Sequence, residues 1–250
     1  MLARLRMKLG VEGTDFGYYQ SSNMQGILME QLENAYVEKL HVSGLKPYSQ
    51  YVIGGNQNEW IINSLTREAY EKMILPLLDQ RFTEFNIEKR NIHINIQEKE
   101  LKIIAKKELL DEFYSDEYSR YINMDFLTPV AFKSNGRYMI LPDIRLIYQS
   151  LMNKYSATSD DMDMYDEETL EQLVSCSEIA QYKLKSAFFP LEGVRVPAFK
   201  GELCIKVKGT STMAKYVRLL ARYGEYSGVG IKTAIGMGAL QMKKWGKKDD

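Results

Sequence analysis

The chain has 250 residues, 45% hydrophobic and 26% charged, a soluble composition long enough for one large domain or two. No apolar run approaches the ~20 residues of a membrane helix, and the first ten residues alternate instead of forming a secretory block, so a cytoplasmic protein with no membrane partner is expected. The 33 basic residues balance 33 acidic ones, but Ser159–Glu171 alone holds seven acids and no base; outside it, 33 bases face 26 acids, which leaves a basic remainder suited to nucleic acid.

In chain order, Met1–Leu9 alternates, with Ala3, Leu5, Met7 and Leu9 on one face and Arg4, Arg6 and Lys8 on the other, the pattern of a half-buried strand. Ser22-x-x-Gln25 reads as a capping box opening a helix whose apolar stripe is Met24, Ile27, Leu28, Leu32 and Ala35. Tyr51–Ile53 and Glu59–Ile62 form a hairpin around Gly54-Gly55-Asn56. Thr66 caps a second helix that Pro76 kinks or shortens, and strands follow at Asn91–Gln97 and Glu100–Lys107. Residues 111–120 read as a connection. The same order then returns. Phe126–Lys133 and Tyr138–Leu141 are extended, Pro142 opens a helix, and Gln181–Phe189 and Glu202–Lys208 are strands. Ser211–Tyr223 is a helix closed by Gly224, and Ala239–Trp245 is a last strand. The expectation is an α+β chain of two tandem ferredoxin-like, RRM-like β-α-β-β-α-β domains, 1–120 and 121–250.

Between that last helix and strand lie Gly228, Gly230, Gly236 and Gly238 as two Gly-x-Gly pairs around Lys232. Glycine costs backbone entropy, so four in eleven residues imply a sharply bent or closely approached backbone. Bare amides beside a lysine suit a phosphate chain. A helix before and a strand after exclude a dinucleotide-binding turn, which needs the reverse order. A plain flexible connection is the competing reading. Lys206 and Lys208 point outward from the preceding strand, Lys183 and Lys185 repeat the spacing, and Lys215, Arg218 and Arg222 form a helical stripe. Lys243, Lys244, Lys247 and Lys248 crowd the tail. With the glycine loop these cations favour a phosphate track.

Of two histidines, His93 alternates with Ile92 and Ile94 and reads as a surface residue. His41 follows an amphipathic helix and precedes a Ser-Gly-Leu-Lys-Pro loop, a favourable place for a catalytic group, with Tyr36, Lys46 and Tyr48 close in sequence. Cys176 and Cys204 form no paired motif, and no His, Cys, Asp and Glu cluster has ligand spacing, so no metal or cofactor is expected.

Leu40-His41, Lys46-Pro47-Tyr48-Ser49, Phe126-Leu127-Thr128-Pro129-Val130-Ala131-Phe132 and the 228–238 loop together resemble the CRISPR-associated repeat-processing endoribonucleases, the Cas "six" family of the RAMP superfamily, over nearly the whole chain and in order. The resemblance implies metal-independent cleavage of precursor CRISPR RNA by an adjacent ribose 2′-hydroxyl, giving 2′,3′-cyclic phosphate and 5′-hydroxyl ends. It implies His41 as general base or acid, and Lys46 for transition-state charge. Gly228, Gly230, Lys232, Gly236 and Gly238 contact RNA backbone, and Arg4, Arg6, Lys206 and Lys208 join them as basic RNA-facing residues. Met29 stands where some members carry a tyrosine, so Tyr36 or Tyr48 substitutes or the tyrosine is dispensable. The partners implied are CRISPR repeat RNA, effector-complex subunits and a second copy of the chain, with no DNA. The alternative is a subunit that holds CRISPR RNA without cutting it.

Overall fold

The alternation of the first residues builds β1 (Leu2–Val11), whose Ala3, Leu5, Met7 and Leu9 are all buried. The computed structural model describes residues 1–11, 16–42, 44–115, 118–159, 163–191 and 193–243. After β1 come α1 (Ser21–Glu30), α2 (Asn34–Val42), β2 (Tyr48–Ile53) and β3 (Asn58–Ser64). Next are the short helices α3 (Arg67–Ala69) and α4 (Leu75–Leu77), joined by a π-helical turn at Tyr70–Ile74. They are followed by β4 (Glu84–Ile87) and β5 (Ile92–Ile104). The five strands form one antiparallel sheet in the order β2-β3-β1-β5-β4, with β1 central.

After α5 (Lys106–Tyr114) the plan repeats: β6 (Tyr121–Val130), the hairpin β7 (Phe132–Ser134) and β8 (Arg137–Met139), α6 (Ile144–Ala157), α7 (Glu167–Ser175), β9 (Ser177–Leu191), β10 (Val194–Val207), α8 (Ser211–Ser227) and β11 (Leu240–Met242). The second sheet runs β11-β6-β10-β9, again with its first strand between its third and last. This is the ferredoxin-like order in both halves; β4 is an added edge strand and β7–β8 an added hairpin. One core lies between the first sheet and its helices, around Leu5, Met24, Leu28, Trp60 and Met73. The second, around Phe126, Leu151, Ile205 and Leu220, also takes in Leu2 and Leu65 from the first half.

Several boundaries differ from the sequence reading. The two strands expected at 91–97 and 100–107 are one. Its register against β1 shifts between Lys8 and Leu9, so β5 absorbs an extra residue as a bulge. The connection expected at 111–120 begins inside helix α5, which ends at Tyr114. The first helix ends at Glu30, where the Gln31 amide bonds back to the Leu28 carbonyl (3.2 Å), and a second helix begins at Asn34. No capping box forms at Ser22. Instead the Ser21 hydroxyl accepts from the Val52 amide (3.1 Å), and Gln25 turns toward Tyr48. Pro76, which cannot donate a backbone hydrogen bond, follows the π turn at the start of α4. Helix α8 runs through Gly224, where a Cβ would meet Leu151 and Leu240 at 2.8 and 2.7 Å, and ends at Gly228. Lys244, Trp245, Lys247 and Lys248 lie outside the described residues, as do Ser43, Asp160 and Asp161.

Candidate active site

His41 sits in the last turn of α2, fully on the surface, and not in the loop after it. The final carbonyls of a helix have no intrahelical donor and attract cations. Here Lys46 supplies one: its Nζ donates to the Leu40 carbonyl. That carbonyl belongs to the peptide bond joining Leu40 to His41. Folding the intervening chain back thus brings an ammonium to the backbone of the exposed imidazole, across a loop of only five residues. Val42, 89% exposed, extends the same surface.

The two tyrosines are placed differently. Tyr48 opens β2 with its ring buried, and its hydroxyl accepts from Gln25 Nε2 on α1 (3.5 Å). Burial pushes its phenol up to about 12, so it stays protonated at neutral pH. Tyr36 lies within the core-facing stripe of α2. Burial first, then the Glu68 carboxylate and Tyr48, hold its phenol well above the ordinary value, and its hydroxyl has no hydrogen-bond partner among the described residues. Met29 packs half-buried against the first core.

Gln25 also lines a cavity of about 400 Å³ between α1 and the β9–β10 hairpin tip. Its polar wall is Ser22, Asn23 and Gln25, and it carries two guanidinium groups, Arg90 and Arg195. The lining contains no carboxylate among the described residues. Gln25 therefore links Tyr48, at the start of β2, to this hollow with its two arginines.

The glycine loop supports the head of α1. Gly236 (φ +110°) lies so close to Ser21 that a Cβ would fall 2.1 Å from the serine Cβ. Gly230 approaches the Ala131 carbonyl, 2.4 Å from where its Cβ would be. The expectation of bare amides fails, because all four glycine amides already donate inside the protein. Gly228 bonds the Gly224 carbonyl (2.8 Å), Gly230 the Ser150 hydroxyl (2.8 Å), Gly236 the Thr233 carbonyl (3.4 Å) and Gly238 the Pro129 carbonyl (2.9 Å). Lys232 is the residue of 228–238 that is exposed.

Other predicted cations are not gathered here. Arg4 is committed to the junction of the halves: its Nε donates to Asn63 Oδ1 (2.8 Å), its Nη2 to the Glu225 carbonyl, and its guanidinium lies 4.6 Å from the Tyr226 ring centroid. Arg6 is half-exposed between Glu59 and Glu100. Lys206 covers the Tyr121 ring and Lys208 pairs with Glu178 (2.6 Å). At a strand rise of about 3.3 Å per residue, Lys206 lies about 40 Å along β10 from the hairpin tip, and Lys208 follows the strand's far end. His93 sits on the edge hairpin against Asn86 (2.9 Å). Arg90, Arg195 and Asn23 escaped the sequence reading, and Ser22 and Gln25 entered it only as a helix cap. The hairpin turn between the two long strands was the available signal for Arg195.

Comparison with known proteins agrees with this architecture. A family model described as CRISPR-associated endoribonuclease Cas6 matches residues 124–240. A CRISPR-associated endoribonuclease Cas6 from Streptococcus thermophilus is 37% identical over 220 residues, covering 88% of this chain and 89% of that protein. The chain belongs to the Cas6 family of CRISPR-associated endoribonucleases. A family member from Mycobacterium tuberculosis is 34% identical over 88% of this chain and 71% of its own length. Thermus thermophilus Cas6 superposes with a TM-score of 0.72 at 20% identity, covering 97% of this chain and 98% of that one. A RAMP protein described as binding different RNA substrates superposes at 0.62 and 14% identity, covering 97% of this chain and 100% of its own. These structural likenesses show the same fold over nearly the whole chain. No helix among the described residues is long and apolar enough to cross a membrane.

Proposed function

We propose that the chain binds CRISPR repeat RNA and cleaves precursor CRISPR RNA without a metal ion. The ribose 2′-hydroxyl next to the scissile phosphate attacks phosphorus and loses its proton. The 5′-oxygen leaves and gains one, so the products are a 2′,3′-cyclic phosphate and a 5′-hydroxyl. The nucleophile belongs to the RNA, and the protein needs only to orient it, move protons and stabilise the pentavalent phosphorane. His41 is the general base or acid, its exposed imidazole able to accept or donate a proton. Lys46 offers its ammonium to the developing charge. The observation that carries this reading is the Lys46 bond to the Leu40 carbonyl, which brings a cation and an exposed imidazole to one helix end. The Arg90 and Arg195 hollow, joined to that end through Gln25 and Tyr48, supports an RNA path leading away from it. Tyr36 and Tyr48 are buried donors of shape, not proton carriers, in this reading. Lys232 is the loop's contribution to RNA contact, and Gly228, Gly230, Gly236 and Gly238 set its place.

The test is incubation of purified protein with repeat RNA in EDTA, with analysis of the new ends. Cleavage leaving a cyclic phosphate is expected. His41→Ala should lower the single-turnover rate by roughly two to four orders of magnitude and Lys46→Ala by about two. Tight binding with intact RNA would overturn the reading in favour of a non-cleaving RNA-holding subunit.

A further inference from the structure

The last carbonyls of α8 carry a second set of donors. Arg4 donates to the Glu225 carbonyl, the Ser49 hydroxyl to the Tyr226 carbonyl, and Lys154 Nζ to the Gly228 carbonyl (3.1 Å), which Ser227 also reaches with its hydroxyl (2.9 Å). Three elements (β1, β2 and α6) thus converge on one helix end. Lys154 is 6% exposed, an unusual place for a lysine. It lies in α6 beside Tyr155, whose ring meets Tyr223 edge-on, and the Tyr223 hydroxyl bonds the Lys154 carbonyl (3.0 Å). Burial alone lowers its amine to about 7, so near neutrality it is a donor that carries its extra proton only part of the time, held by a backbone acceptor.

What this helix end holds is the start of the glycine loop. From Gly228 the chain reaches Gly236, which lies on Ser21. The Ser21 carbonyl accepts from Gln50 (2.9 Å) and its hydroxyl accepts from the Val52 amide. Ser22, Asn23 and Gln25, next on α1, line the charged hollow, and Gln25 donates to Tyr48. Tyr48 directly precedes Ser49, which returns to α8. The path closes on itself.

We propose that Lys154, with Arg4 and Ser49, clamps the C-terminus of α8 so that the glycine loop holds α1 and Tyr48 in register with the His41–Lys46 end, making Lys154 a positioning residue for RNA cleavage. The cleavage half of this rests on the function proposed above; the clamp itself does not.

Two measurements separate them. Backbone amide exchange at 229–239 reads the clamp, and single-turnover cleavage of repeat RNA at saturation reads the positioning. Lys154→Met keeps the apolar stem out to the Cε position and removes the donor; it should speed exchange of the loop amides about tenfold and slow cleavage about tenfold. Lys154→Gln keeps a neutral donor and should remain within about threefold of wild type in both. Wild-type exchange in Lys154→Met, or equal impairment of Lys154→Gln, would overturn the clamp. Faster exchange with unchanged cleavage would overturn the positioning role. If wild-type protein cleaves no RNA, the proposed function falls while exchange still decides the clamp. Should Lys154→Met not fold, Ser49→Ala, which removes the donor to the Tyr226 carbonyl, carries the comparison. It should speed the same amides about threefold, and wild-type exchange in it would overturn the clamp.

Discussion

Gly236→Ala is the smallest change that tests whether the loop is built to touch α1. The added methyl would lie 2.1 Å from Ser21 Cβ and 2.6 Å from Ser21 Oγ. Ser21 is wholly buried, with its hydroxyl committed to Val52 and its carbonyl to Gln50, so the neighbour has nowhere to go. Ordinary contact requires the loop to back away by about 1 Å or more. The backbone at φ +110° adds a conformational penalty of roughly 1–2 kcal/mol for any side chain. Overpacking adds a further 1–3 kcal/mol. A loss of about 2–5 kcal/mol is therefore expected in a urea melt, with slower repeat cleavage at saturating RNA. Gly26→Ala is the control: Gly26 lies on the open face of α1 with nothing within 4 Å of its Cβ position. That substitution should stabilise by about 0.5–1 kcal/mol. Equal melting midpoints and equal cleavage for Gly236→Ala and wild type would show that the glycine is incidental and the packing argument wrong.

Arg195→Ala should weaken repeat RNA binding and reduce its salt slope by about 1, whereas Lys208→Ala, just beyond the far end of β10 and paired with Glu178, should leave both within error; the reverse ranking in a titration at two salt concentrations would move the RNA path off the hairpin tip. Lys154 gives a pH signature. The unfolded chain keeps this lysine protonated to about pH 10, while the folded protein releases the proton above about 7, so the unfolded state binds more protons and stability rises with pH. Relative to Lys154→Met, wild-type stability should climb by about 2–3 kcal/mol between pH 7 and 9 in denaturant melts, and a flat difference would place the charged amine in contact with water.

Where period and chemistry agreed, the sequence was readable. The alternation in β1, the Thr66 cap, which accepts from the Ala69 amide (3.1 Å), and the repeated strand and helix order all follow from local residue types. Length was harder. Nothing local distinguishes a strand with a bulge from two strands, because the bulge in β5 exists only in its pairing with β1. Gly224 looked like a helix stop because glycine usually is one. It lies inside α8 because Leu151 and Leu240 leave no room for a side chain, a fact that lives in α6 and β11. The site was legible where its members are close in sequence, as His41 and Lys46 are. Arg90 and Arg195 come together only through the fold, and Arg4 reads as a free cation until α8 is laid against it. The glycine motif pointed to a real constraint, a closely approached backbone, but not to free amides. Its amides are consumed by Pro129, Ser150 and neighbouring carbonyls, so the constraint is close packing against β6 and α1.

The same device recurs at both ends of this path, and it bears on the chemistry. A lysine can be fixed by a carboxylate or by a carbonyl. A carboxylate holds it more strongly, but it also cancels most of the field that a phosphate would feel. Lys39 with Glu68 (2.6 Å) is held that way and is poorly suited to attract an anion. A helix C-terminal carbonyl is a partial charge of about half a unit shared over the last turn. It orients an ammonium while leaving most of its charge to act outward. Lys46 on Leu40 is fixed in this manner at the surface, where the field can reach a phosphorane, and Lys154 on Gly228 is fixed in the same manner inside, where burial weakens its hold on the extra proton and the hydrogen bond remains. One geometry thus yields a transition-state cation where water has access and a positioning hydrogen bond where it does not. Replacing the Leu40 carbonyl as the acceptor of Lys46 by a surface carboxylate, as in Val42→Glu, should then cost cleavage more than it costs folding. A Val42→Glu protein with wild-type stability and wild-type single-turnover rate would show that the outward field of Lys46 does not matter.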